Sequence, residues 1–134
     1  MTEAQLCAWM DAYGEAFARQ DADAAAALFT PDGTYEWGPF GELLRGREEI
    51  RAKWIEAADA GEATFGYEVI AVADEVGVAR WLATHTYPDK LLRFDGIFVV
   101  RLADGLCREF REWWNVRREP APSTNPVSDT DTEV

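Results

Sequence analysis

The chain has 134 residues and a formal net charge of −12. This length predicts one domain with a core large enough to fold without disulfides or metal. The acidic surface would repel phosphates and anionic lipid headgroups, so we expect neither nucleic acid nor membrane as a partner. Cys7 and Cys107 belong to no metal-binding or redox motif, and no apolar run is long enough to span a membrane. We therefore expect a reducing cytoplasm and no cofactor.

The first half of the chain has mainly helical periodicity. Thr2 and Gln5 resemble a capping box, and the apolar residues that follow recur three and four positions apart. Asp21 begins a second, alanine-rich helix, and Pro31 and Gly33 favour a turn. The predicted elements are helices over residues 2–20, 22–29 and 46–60, a turn over 30–33 and a strand over 34–37.

The second half alternates apolar and polar side chains, which is typical of half-buried strands. It predicts strands over residues 65–73, 76–87, 91–102 and 106–116. The order ααβαββββ predicts an α+β domain in which a curved antiparallel sheet wraps around N-terminal helices. Residues 1–118 would form this domain, and the polar residues 119–134 would form a disordered acidic tail.

Three stretches of the chain are distinctive: A-Y-G-E-A-F-A-R-Q-D-A-D-A-A-A-A-L-F-T-P-D-G-T-Y-E-W from residue 12, L-R-G-R-E-E-I-R from residue 44, and F-D-G-I-F-V-V-R-L-A-D-G-L-C-R-E-F-R-E-W-W from residue 94. In their order and spacing they resemble the SnoaL-like domains of the nuclear transport factor 2-like superfamily. The resemblance implies a cone-shaped, cystatin-like roll that encloses a small, mostly apolar pocket. That superfamily includes isomerases, cyclases and dehydratases as well as non-catalytic binding domains.

The ketosteroid isomerases of this superfamily provide a test of mechanism. Tyr13 and Asp21 reproduce the spacing between their oxyanion tyrosine and the aspartate that opens the second helix. Trp37 stands where the resemblance places their general base, and Phe98 stands near their protonated aspartate. The resemblance therefore argues against the ketosteroid isomerase mechanism in this chain.

Three residues are the candidates for catalysis. His85, the only histidine, shares a strand face with Tyr87, opposite the face of Arg80, so we expect it to point into the cone. The resemblance turns Glu112 toward the cavity, where it could pair with His85 for proton transfer or with Arg108 in a structural ion pair. Tyr13 is the third candidate. Asp95 could be a pocket carboxylate, but Asp-Gly more often marks a bend.

Aromatic residues are the candidate walls of the pocket, with core packing as the alternative for each. The predicted substrate-binding residues are Trp37, Trp54, Tyr87, Phe98, Phe110 and Trp114. Two functions remain open. One is proton-transfer chemistry of the isomerase, cyclase or dehydratase type on a small apolar or polycyclic molecule. The other is a non-catalytic ligand-binding or dimerisation domain. We expect a homodimer through the outer sheet face, predicted to carry Cys107, Glu109, Arg111 and Trp113.

Overall fold

The computed structural model describes residues 1–58 and 61–121 of the chain. Its helices and strands lie in the α+β order predicted, with one additional short strand. In chain order they are α1 (Glu3–Arg19), α2 (Ala22–Ala26), β1 (Phe29–Glu36), β2 (Leu43–Arg45), α3 (Gly46–Ala57), β3 (Glu62–Ala73), β4 (Val76–Thr86), β5 (Lys90–Ala103) and β6 (Leu106–Pro120). No helix in the described part of the chain is long and apolar enough to cross a membrane.

Helix α1 forms the centre of the core. Its first turn is closed by the predicted capping box, in which Thr2 and Gln5 each accept a hydrogen bond from the other's backbone N–H. Its buried stripe recurs at helical spacing and faces the sheet. The ring of Tyr13 lies 5.3 Å from the rings of both Phe98 and Phe110. Each fully buried side chain of this kind contributes about 1.5–3 kcal/mol. The stripe comprises Leu6, Trp9, Met10, Tyr13 and Ala16.

The six strands form one curved, open sheet in the order β2-β1-β6-β5-β4-β3. Strands β3 to β6 are an antiparallel meander, as predicted. Strand β1 joins the sheet beside β6 in a parallel pairing. Because α1 packs against the concave face, the inward-pointing side chains of β4, β5 and β6 form the core and the floor of a cavity.

Several element bounds differ from the predictions. Strand β2 was not predicted; its three residues pair with β1 but are too few to show alternation. Helix α2 ends at Ala26, and residues 30–33 belong to an irregular part of β1 rather than to a separate turn. Strand β6 continues to Pro120, because Leu91 pairs with Glu119 and Lys90 with Pro120. Residues 122–134 of the predicted tail lie outside the described residues.

A register shift near the start of β6 changes which of its side chains point inward. The pairing with β5 jumps from Arg101↔Glu109 to Leu102↔Cys107, so one extra residue, Arg108, is accommodated. Cys107 is consequently fully buried, and burial raises the pKa of its thiol to about 12. The prediction that Cys107 lies on the outer face with Trp113 is therefore wrong.

Gly96 leaves room for the side chain of Trp81 and for the backbone of the neighbouring strand β6. A Cβ atom at Gly96 would lie 2.0 Å from the carbonyl oxygen of Trp113 and 2.6 Å from Nε1 of Trp81. We expect Gly96→Ala to lower the free energy of unfolding by about 1–3 kcal/mol, the usual cost of overpacking. Gly66→Ala is the matched control, since a Cβ there meets nothing within 4 Å. Chemical denaturation measures both, and equal stability of the two variants would contradict this account.

Candidate active site

A cavity of about 210 Å³ lies between the concave face of the sheet and helices α1 and α3. Side chains from both helices, from β1 and from the three strands β4 to β6 line it. Nine of its fourteen described lining residues are Trp, Tyr or Phe, so it would contact a ligand mainly through aromatic surface. The lining residues are Tyr13, Phe17, Gln20, Tyr35, Trp37, Trp54, Ala57, Ala58, Trp81, His85, Tyr87, Phe94, Glu112 and Trp114.

Glu112 is the single carboxylic acid among the described lining residues, and burial in the cavity wall shifts its pKa. Glu112 is only 5% exposed, and it is the one buried polar or charged residue in the described core. Burial raises the pKa of its carboxyl to about 8, although the hydrogen bond from Tyr35 acts in the opposite direction. At neutral pH the carboxyl is therefore mostly protonated and can donate a proton.

Two tyrosines connect Glu112 to helix α1. The hydroxyl of Tyr35 donates to Oε1 of Glu112 over 3.2 Å, and the hydroxyls of Tyr13 and Tyr35 lie 3.0 Å apart. Because the proton of Tyr35 is directed to Glu112, Tyr13 must donate to Tyr35. Burial, followed by the charge of Glu112, raises the pKa of both phenols well above the usual range. Both hydroxyls thus stay protonated. Because Oε1 of Glu112 accepts a hydrogen bond from Tyr35, the proton of the neutral carboxyl is bound to Oε2.

His85 lies at the other end of the cavity from Glu112. In the strand register His85 is level with Leu92 and hence with Arg118, whereas Glu112 is six residues earlier on β6. Six residues span roughly 20 Å of strand, so the expected contact between Glu112 and His85 is not formed. His85 instead has the hydroxyl of Tyr87 3.4 Å from its Nδ1 and the ring of Phe17 at 5.4 Å.

Seven of the nine predicted site residues line the cavity, and two do not. Phe98 and Phe110 are 1% and 0% exposed, with ring centroids 4.6 Å apart. They pack beneath Tyr13 as core residues, so their predicted role as ligand contacts is not supported by their position. The seven that line the cavity are Tyr13, Trp37, Trp54, His85, Tyr87, Glu112 and Trp114.

Two other charged residues that the sequence analysis considered for the site, Arg108 and Asp95, lie outside the cavity. Arg108, at the register shift, pairs with Glu75 and not with Glu112. Asp95 accepts two hydrogen bonds from Arg80, 3.0 and 2.8 Å long, on the outer face of the sheet. Asp95 is therefore not a carboxylate of this cavity, and the regular strand pairing past it shows that no bulge or bend is present there.

The sequence prediction missed several lining residues, of which Tyr35 matters most. Tyr35 and Trp37 are two positions apart, so strand alternation applied to the predicted pocket residue Trp37 would also have placed Tyr35 there. Trp81 follows from the same rule, because it shares the inward face of β4 with His85. The remaining missed residues are Phe17, Gln20, Ala57, Ala58 and Phe94.

Solved structures with the same fold place the chain in a known structural class. A putative isomerase from Bacillus subtilis superposes with a TM-score of 0.74 at 18% identity, over 86% of this chain and 90% of that one. The epoxide hydrolase/cyclase-like enzyme SalBIII, described as having a role in pyran ring formation in the polyether salinomycin, gives 0.70 at 21% identity, over 86% and 95%. These similarities show the nuclear transport factor 2-like cone fold.

A hypothetical protein with a ketosteroid isomerase-like fold from Catenulispora acidiphila, solved in complex with trimethylamine, gives a TM-score of 0.68 at 16% identity, over 78% of this chain and 82% of that one. A search of curated proteins finds no match. The SnoaL-like domain family matches residues 10–110, which is about three quarters of the chain. The chain therefore belongs to the SnoaL-like domain family.

The raised pKa of Glu112 makes stability depend on pH. Below about pH 4.5 the carboxyl is protonated in both the folded and the unfolded state, so its contribution does not change. Between about 4.5 and 8 only the unfolded state loses the proton, so the free energy of unfolding falls as the pH rises. Above about pH 8 the carboxyl is deprotonated in the folded state as well, so the free energy of unfolding no longer changes through this group.

We expect Glu112→Gln to abolish this decline, because the amide does not titrate. Relative to wild type, the variant should gain on the order of a few kcal/mol between pH 4.5 and 8. Urea denaturation at several pH values measures the difference. Glu48→Gln, on the surface of α3, is the control that should leave the wild-type profile unchanged. A constant difference between wild type and Glu112→Gln would contradict the assigned pKa.

Proposed function

We propose that the protein is an enzyme that transfers a proton to a small, largely apolar molecule, with Glu112 as the acid. The observation that carries this proposal is a neutral carboxyl buried at the end of an aromatic cavity. General acids that work near neutral pH need a pKa in that range, and burial without a cationic partner is one way to reach it. Isomerisation, cyclisation and dehydration can each begin with such a proton transfer.

Tyr35 and Tyr13 would act as positioning residues. The bond from Tyr35 fixes Oε1 as the acceptor, so that the proton of the acid resides on Oε2. Once Glu112 has given up its proton, the same bond stabilises the carboxylate, and Tyr13 supports Tyr35. His85, at the far end of the cavity, would contact another part of a bound molecule, beside Tyr87.

The comparisons support a small-molecule function for the cavity without defining the reaction. Two of the structures with this fold are described as a putative isomerase and an epoxide hydrolase/cyclase-like enzyme, and a third was solved in complex with trimethylamine. We keep the cytoplasm as the proposed location, because Cys7 and Cys107 are both free thiols.

The proton of Glu112 can be tested without a substrate. Infrared difference spectra between wild type and Glu112→Gln isolate the band of the protonated carboxyl, which we expect to titrate near pH 8. Tyr35→Phe removes the donor that favours the carboxylate, so the titration should move to higher pH. Tyr13→Phe, which loses no direct bond to Glu112, is the matched control and should move it less. Titration in the ordinary carboxyl range would refute the proposed acid.

We also propose that the protein forms a homodimer through the outer face of the sheet. Trp113 and Leu82 remain 38% and 47% exposed on that face. Charged residues around them are paired in both signs, including Arg80 with Asp95 and Arg111 with Glu36. Two copies of such a face could meet without net repulsion, in the isologous contact typical of homodimers.

Sedimentation equilibrium at micromolar concentration tests this assembly. We expect wild type to have twice the mass of one chain, because an interface of roughly 800 Å² per partner holds at that concentration. Trp113→Lys should be monomeric. Phe40→Lys, which changes a fully exposed aromatic side chain on the loop between β1 and β2, should remain dimeric. A monomeric wild type would rule out the dimer.

A further inference from the structure

The described cavity wall favours positive charge over negative charge. Its fourteen described residues include no lysine or arginine, and Glu112 is their single carboxylic acid. The chain as a whole carries a net charge of −12, which makes the potential at the cavity more negative. The net charge would therefore attract a cationic ligand to the cavity and repel an anionic one.

Two of the aromatic rings that line the cavity each have the ammonium group of a lysine over one face. The Nζ atom of Lys53 lies 5.4 Å from the ring centroid of Trp37, and that of Lys90 lies 4.7 Å from the ring centroid of Tyr87. Neither lysine belongs to the described cavity lining, so these ammonium groups contact the rings from outside the cavity. The ammonium of Lys53 is also paired with Glu42 and Glu56. Aromatic rings in this protein therefore make cation–π contacts with ammonium ions at ordinary distances.

We propose that the cavity selects apolar cations: it binds a substituted ammonium ion more tightly than a neutral molecule of the same shape. The recognition would come from the tryptophan and tyrosine rings, with Glu112 as the single carboxylic acid among the described lining residues. This inference rests on the proposed function, because it names the kind of charge that the reacting molecule acquires in the same cavity.

Charge balance connects the two proposals. When the O–H bond of neutral Glu112 breaks and its proton forms a bond with an electron pair of a neutral substrate, a carboxylate remains and the substrate becomes positively charged. The aromatic rings stabilise that charge as it develops, which lowers the barrier to proton transfer. When the product returns a proton to Glu112, the acid is restored and no other reactant is needed. The substrate class is thus a neutral, apolar molecule that becomes cationic on protonation.

The test uses a charged probe and its uncharged isostere. Phenyltrimethylammonium and tert-butylbenzene have nearly the same shape and differ in charge, and quenching of tryptophan fluorescence reports the binding of each. Both are measured at one pH below the pKa of Glu112. We expect the cation to bind at least about tenfold more tightly, as a small number of cation–π contacts would provide. Equal binding, or tighter binding of tert-butylbenzene, would overturn the inference.

Two adjacent tryptophans provide matched variants. Trp114 lines the cavity, whereas Trp113 lies on the outer face with its ring under the guanidinium of Arg111. Trp114→Leu should reduce the preference for the cation severalfold, and Trp113→Leu should leave it unchanged. The comparison of the two probes on wild type remains decisive if Trp114→Leu does not fold. A preference that survives Trp114→Leu and disappears in Glu112→Gln would overturn the aromatic basis of the selectivity.

The failure of this inference can be distinguished from failure of the proposed acid. If the Glu112 carboxyl titrates in the ordinary range while the cation is still preferred, the acid role is refuted and the cavity acts as a cation-binding site. If Glu112 titrates near pH 8 and the two probes bind equally, the acid role stands and the selectivity is refuted.

Discussion

The hydrogen-bonded chain from Tyr13 through Tyr35 to Glu112 is the constraint on which the rest of the site depends. Each of its members lies on a different element, respectively α1, β1 and β6. A buried carboxyl with no donor would cost several kcal/mol, so Tyr35 must reach it from the neighbouring strand. The parallel pairing places Tyr35 beside Phe110, two residues before Glu112, which makes this contact possible.

The packing below the chain determines the shape of the cavity. Phe98 and Phe110 fill the base of the cone and pack against the ring of Tyr13. The cavity therefore begins only at the level of Glu112. Gly96 has the related effect of allowing Trp81 and Trp114 to lie close to the sheet. The same aromatic surface that stabilises the fold also removes water from Glu112, which is why its pKa is high. The packing that stabilises the fold is therefore also the cause of the raised pKa of Glu112.

Alternation along strands gave most of what could be predicted from sequence. It placed His85 on the inward face of β4 and Arg80 on the outward face, because a half-buried strand in a meander has a strict period of two. It failed at Cys107 and Arg108, where one extra residue shifts the register and reverses the faces. No local pattern marks this shift, since it depends on pairing with β5. The separation of Glu112 from His85 was also inaccessible, because it is set by the register of three strands rather than by the residues of either one.

Burial of the Glu112 carboxyl lowers the stability of the fold, and packing gives no reason for a carboxyl at this position. A buried carboxyl with one hydrogen-bond donor is less favourable than an apolar side chain of similar volume, and replacement of such groups is often neutral or stabilising. The neighbouring residue Phe110 shows that this face of β6 accepts a large apolar side chain with full burial. Strongly shifted ionisable groups in clefts are characteristic of functional sites, where a stability cost is retained for chemistry. The two tyrosines strengthen this argument, since packing alone would be served equally well by phenylalanine. The presence of three hydrogen-bonded polar groups within a mostly apolar core therefore supports the proposed proton transfer more than a role in folding alone.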